Sequence, residues 1–117
     1  MLRREMIDLG PDITASVLHD ALSDMGARLI VDVLAGPIPA GARQDDTQST
    51  YAPMLKKEDG RVIWSKPAIA IDRQIRALNP WPGVWCLNTE GKRIKILSTT
   101  IITASGAVPG TVLNAQG

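Results

Sequence analysis

The apolar positions first fall into a helical rhythm at Leu18, Leu22, Met25, Leu29 and Val33. Their spacings of four, three, four and four place them on one stripe of an α-helix. Thr14 is the expected N-cap, because its hydroxyl can accept an early backbone N–H that has no partner inside the helix. Asp20 and Asp24 fall on the outer side, and Gly36-Pro37 closes the run, since proline cannot continue the hydrogen-bond ladder. Gly26 lies within it and costs about 1 kcal/mol relative to alanine, so a kink or two short helices are expected. Upstream, Leu2, Met6 and Ile7 stand among charged residues and predict a short strand over residues 2–9, ended by Gly10-Pro11.

From residue 36 to about residue 60 neither a helical nor a strand period appears; Pro37, Pro39, Gly41 and Pro53 punctuate a polar run. Irregular stretches above about 12 to 15 residues are uncommon inside compact domains, so this segment reads as a linker. A second helix is predicted with Ser65 as N-cap and Pro67 in its first turn, where the missing N–H costs nothing. Ala68, Ile71, Ile75 and Leu78 form its inner stripe, and Asp72 and Arg76 form an i,i+4 pair on the outside. Asn79-Pro80-Trp81-Pro82-Gly83 stops it. Strands are expected over residues 84–88 and 92–103, joined across Thr89-Glu90-Gly91, and a third over 111–115 after a turn at 106–110.

Composition narrows the picture. Of 117 residues, 44% are hydrophobic and 21% charged, ordinary globular usage that argues against wholesale disorder. With no Phe, one Tyr and three Trp, a core is expected to rest on Ile, Leu, Val and the three tryptophans. No run approaches the roughly 18 to 20 apolar residues of a membrane span, and the charged start Met1-Leu2-Arg3-Arg4-Glu5 is unlike a secretory signal. Cys86 is the single cysteine, which excludes an internal disulfide and fits a reducing cytoplasm.

Charge is divided unevenly. Residues 1–55 carry four arginines against eight acids, and residues 56–95 carry nine lysines or arginines against four acids. The second stretch could attract a polyanion, or simply be a solvated face. Other candidate chemistry is thin. His19 stands alone beside Asp20 on the first helix, where a partly solvated surface role is the simpler reading than general base. Cys86, between Trp85 and Leu87 in a strand, reads as a small packing residue. Asp45-Asp46 and Glu58-Asp59 lack the alternating oxygen ligands of a hard-cation site, and no metal is expected.

The stretch Thr50-Tyr51-Ala52-Pro53-Met54-Leu55-Lys56-Lys57-Glu58-Asp59-Gly60-Arg61 runs on through Trp64-Ser65-Lys66-Pro67-Ala68. It then reaches Ile71-Asp72-Arg73-Gln74-Ile75-Arg76-Ala77-Leu78-Asn79-Pro80-Trp81-Pro82-Gly83. This closely resembles the junction between the catalytic and C-terminal domains of methionyl-tRNA formyltransferases. Residues 12–34 are similar to the last helical region of that family's catalytic domain, and Gly91-Lys92-Arg93-Ile94-Lys95-Ile96 and Pro109-Gly110-Thr111-Val112-Leu113 to early strands of its barrel. Amino-sugar formyltransferases share a helix ending in Pro-Trp-Pro-Gly and remain an alternative, as does a stand-alone RNA-binding or interaction module.

The resemblance implies transfer of a formyl group from 10-formyltetrahydrofolate, the co-substrate, to the methionine amino group of initiator methionyl-tRNA, in the cytoplasm. The family's catalytic Asn, His and Asp and its Ser-Leu-Leu-Pro folate loop match nothing in this chain. The expectation is therefore an internal α+β fragment, inactive alone and truncated on both sides. Residues 1–36 are expected to be the terminal strand and helix of a Rossmann-like formyltransferase domain. Residues 37–64 form the linker, and 65–117 a helix plus an incomplete OB-like antiparallel β-barrel. In this family linker and barrel contact tRNA. Candidates for phosphate contact are Lys56, Lys57 and Arg61 in the linker, Arg73 and Arg76 on the helix, and Lys92, Arg93 and Lys95 on the hairpin; alternation puts Arg93 and Lys95 on one outer face. Trp64, Trp81 and Trp85 are expected as structural anchors. Unpaired strand edges allow self-association.

Overall fold

A computed structural model describes residues 1–103 and 106–113 and divides the chain into two compact units, Met1–Met54 and Leu55–Gly117. In the first unit the single regular helix is α1, Ala15–Leu34. Thr14 caps it as expected: its backbone is extended and its hydroxyl accepts from the Val17 N–H at 3.4 Å. The helix closes through the Ala35 N–H, which donates to the Val31 carbonyl at 3.0 Å, just before Gly36-Pro37.

Two expectations for this unit are corrected. α1 runs through Gly26 as one helix, so the two short helices do not form. Residues 2–9 form no strand. A strand needs a neighbour to take its backbone groups, and only the Met1 end finds one. The Met1 amino group donates to the Ala42 carbonyl at 2.7 Å, and the Ala42 N–H returns a bond to the Met1 carbonyl at 2.8 Å. The irregular segment that follows contains one tight turn, Asp46–Gln48. Asp45 organises it: Oδ1 accepts from the Thr47 N–H at 3.0 Å and its hydroxyl at 2.6 Å, and Oδ2 from Gln48 Nε2 at 2.9 Å. The Thr47 hydroxyl above all, then the Thr47 N–H and Gln48, hold the Asp45 carboxyl below its ordinary value.

The second unit is α+β. A 3₁₀ turn, Lys57–Gly60, leads to helix α2, Ala68–Leu78, and then to strands β1, Val84–Leu87, and β2, Arg93–Ile96. Pro67, not Ser65, borders α2; its carbonyl accepts from the Ala70 and Ile71 N–H groups at 2.9 and 3.2 Å. The strands pair antiparallel in the register Val84↔Ile96, Trp85↔Lys95, Cys86↔Ile94, Leu87↔Arg93. Their turn is built on Asn88, whose side-chain oxygen accepts from the Glu90 and Lys92 N–H groups, and on Gly91, whose φ of +78° suits glycine. A parallel backbone bridge joins Arg61 to Trp85, with the Val62 N–H donating to the Trp85 carbonyl at 2.9 Å.

The core sits where α2 crosses this sheet. Val62, Ile71, Ile75 and Val84 are buried, with Leu78, Cys86 and Ile96 packed against them. Asn79 stitches the three elements together: Nδ2 donates to the Ile96 and Leu97 carbonyls at 3.0 and 3.1 Å, while Oδ1 accepts from the Val84 N–H at 3.3 Å.

The core is thus aliphatic, which corrects the expectation that the three tryptophans help to build it. Trp81, held in a turn between Pro80 and Pro82, is 61% exposed, and Trp64 is 42% exposed against Gly110. Trp85 is half-buried on the outer face, because alternation turns Val84 and Cys86 inward. The sheet is also smaller than expected. β2 ends at Ile96, residues 97–103 continue without strand pairing, and 111–113 are irregular; the rest of the expected third strand lies outside the described residues. Among the described residues there are two strands, and no helix is long and apolar enough to cross a membrane.

Candidate nucleic-acid interface

The outer face of the β1–β2 sheet gathers three of the eight candidate cations, Arg61, Arg93 and Lys95. Trp85 and Leu87 on β1 stand opposite Lys95 and Arg93 on β2, so all four project from one side. The Arg93 guanidinium carbon lies 3.8 Å from the centre of the Trp85 ring, and that of Arg61 lies 5.9 Å from it. Both are within cation–π range. The indole is fixed by a third contact, its Nε1–H donating to the Lys57 carbonyl at 3.1 Å. That bond brings the turn carrying Lys56 and Lys57 to the same sheet edge.

The turn is itself well tied. The Lys56 N–H donates to the Asp59 carboxylate at 2.7 Å, and Gln74 Nε2 donates to the Asp59 and Arg61 carbonyls at 2.7 and 3.2 Å. Glu58 and Asp59 therefore serve a turn, and among the described residues no group of three or more metal-binding side chains comes together. Lys92 is exposed in the hairpin turn.

The α2 cations divide. Arg73 is exposed. Arg76 is only 19% exposed and donates through Nε to Asp72 at 2.9 Å, while the Thr99 hydroxyl donates to the other Asp72 oxygen at 2.9 Å. The expected outer pair is thus half-buried. Hydrogen bonds from Arg76 first and Thr99 second hold the Asp72 carboxyl below its ordinary value, against a smaller opposing effect of burial. His19 is 80% exposed with Asp20 at 3.1 Å, and Cys86 is half-buried against the core.

Sequence reading placed Arg93 and Lys95 on one face but missed that Trp85 belongs to it. The inward Val84 and Cys86 carry that signal. The approach of Arg61 depends on the Arg61–Trp85 bridge, which no local pattern encodes.

The second unit belongs to a known class of domain. The family described as formyl transferase, C-terminal domain, matches residues 54–117, and the chain belongs to that family. Among its relatives are methionyl-tRNA formyltransferases. That of Paramagnetospirillum magneticum is 50% identical over 99% of this chain, and that of Heliobacterium modesticaldum 41% identical over all of it. That of Gluconacetobacter diazotrophicus is 47% identical over 97%. The chain spans 39%, 40% and 37% of these relatives' own lengths.

Proposed function

We propose that this chain is the tRNA-facing part of a methionyl-tRNA formyltransferase, an enzyme moving a formyl group from 10-formyltetrahydrofolate to the amino group of initiator methionyl-tRNA in the cytoplasm. The observation that carries the reading is 50% identity, over 99% of the chain, to a protein of that name. On this reading residues 1–36 end a Rossmann-like catalytic domain, 37–64 link, and 65–117 begin an OB-like barrel. The sheet of such a barrel is a frequent nucleic-acid platform.

The chemistry asked of the chain is binding. Formyl transfer needs a group to take the proton of the attacking amine and donors to hold the oxyanion. The chain's one histidine is 80% exposed on a helix and, among the described residues, its polar partner is Asp20, which does not fit a folate-bound reaction centre. No catalytic step is assigned to it. Phosphate contacts from Lys56, Lys57, Arg61, Arg73, Lys92, Arg93 and Lys95 position tRNA without reading sequence. Among the described residues the outer edge of β2 has no strand partner, which supports self-association.

Titration of the 117-residue chain with initiator tRNA tests the reading. Binding should weaken by an order of magnitude or more between about 50 and 200 mM salt, as counterion release requires. Binding that is absent, or flat in salt, would overturn it. Formyl transfer by the purified chain would overturn its assignment as a binding part.

A further inference from the structure

We propose that Arg61, Trp85 and Arg93 form one built phosphodiester site, in which Trp85 is the positioning residue that holds Arg93 ready for an RNA phosphate. The proposal rests on the tRNA reading above and names the contact point within it. Two guanidinium groups converge on one indole, at 3.8 and 5.9 Å from its centre. Among the described residues neither is ion-paired; the ion pairs found involve His19, Arg28, Arg43 and Arg76. Two like charges drawn to one ring, with Lys95 directly across from Trp85 on the same face, repel one another, and an anion bound between them offsets that repulsion.

The geometry suits a phosphate in particular. A guanidinium resting on an aromatic face spends its π-surface on the ring and leaves its in-plane N–H groups free for a bidentate contact. Arginine normally loses much side-chain freedom when it binds; stacking removes part of that freedom beforehand. The ring that does the holding is itself held, by the Nε1–H bond to the Lys57 carbonyl and by the backbone bridge to Arg61. A tryptophan serving only to fill space needs neither cation.

The test uses the full chain, fluorescently labelled initiator tRNA and a salt series. Arg93→Gln is expected to weaken binding about tenfold and to reduce the salt slope by roughly one unit. Trp85→Leu should weaken it by a similar factor, Trp85→Tyr should recover most of that loss, and the Trp85→Leu/Arg93→Gln pair should bind no worse than Arg93→Gln alone. Arg93 is exposed, so its variant stays informative if Trp85→Leu fails to fold. Wild-type binding with an unchanged affinity and slope in Arg93→Gln overturns this site and leaves the tRNA reading standing. No salt-dependent tRNA binding at all overturns both. Penalties that simply add, with Tyr no better than Leu at position 85, overturn the positioning role. A Trp85 indole N–H resonance shifted by inorganic phosphate at the same concentrations as by tRNA assigns the site to free phosphate and overturns the RNA assignment.

Discussion

Gly60 and Gly83 meet with no space for a side chain between them: a Cβ on Gly60 would overlap the Gly83 carbonyl oxygen. The obstacle is backbone, so relief requires the 3₁₀ turn to move off the turn that follows α2. Gly60→Ala is therefore expected to destabilise the second unit by about 2 to 3 kcal/mol, the range of overpacked sites. Gly26→Ala should do the opposite, raising stability by about 0.5 to 1 kcal/mol, because its site on α1 is open and helical. Urea midpoints of the two variants check both signs.

From the end of α2, Asn79 satisfies three backbone groups: one on β1, one on β2 and one just beyond β2. Asn79→Ala should cost about 2 kcal/mol, since a lost bond is worth about 1 and two of the stranded groups, the Ile96 carbonyl and the Val84 N–H, are partly buried. Asn79→Asp keeps the acceptor for Val84 but sets a carboxylate against two carbonyl oxygens, so it should restore little. Hydrogen exchange at the Val84 amide separates the cases, remaining slower in the aspartate variant than in the alanine one.

The Asp72 carboxyl is bonded by Arg76 and Thr99 and titrates below its ordinary value. A carboxyl depressed by folding contributes stability that is present above the unfolded pKa and lost as pH falls below about 4. Melting temperature measured from pH 6 down to pH 3 should therefore drop at the acid end. Asp72→Asn should lower it at pH 6 and flatten that acid limb.

The candidate cations should separate by role. Arg76→Gln is expected to cost about 1 to 2 kcal/mol of stability, because it takes from the half-buried Asp72 its strongest hydrogen-bond partner. It should leave the salt slope of tRNA binding unchanged. Lys95→Gln should do the reverse, lowering the slope by roughly one unit with no change in melting. Parallel melts and tRNA titrations check the crossing.

What could be read in advance follows from how local its cause is. The Thr14 cap, the α2 stripe of Ile71 and Ile75, and the hairpin around Asn88 and Gly91 depend on residues within a few positions, and each lies where the pattern put it. Residues 2–9 set Leu2, Met6 and Ile7 among charges, yet a strand is a relation between two segments, and only Met1 and Ala42 exchange backbone bonds there. The site divides likewise. Alternation along β2 placed Arg93 and Lys95 together, whereas the meeting of Arg61 with Trp85 spans a helix in the sequence and is made by backbone pairing.

The differing surroundings of the tryptophans give the protein an optical map of itself. Trp81, 61% exposed, is an indole in water; Trp85 lies beneath a guanidinium. Emission from Trp85, isolated by replacing Trp64 and Trp81 with phenylalanine, therefore reports the charge above the ring, and a dye-free titration can follow any anion that neutralises Arg93.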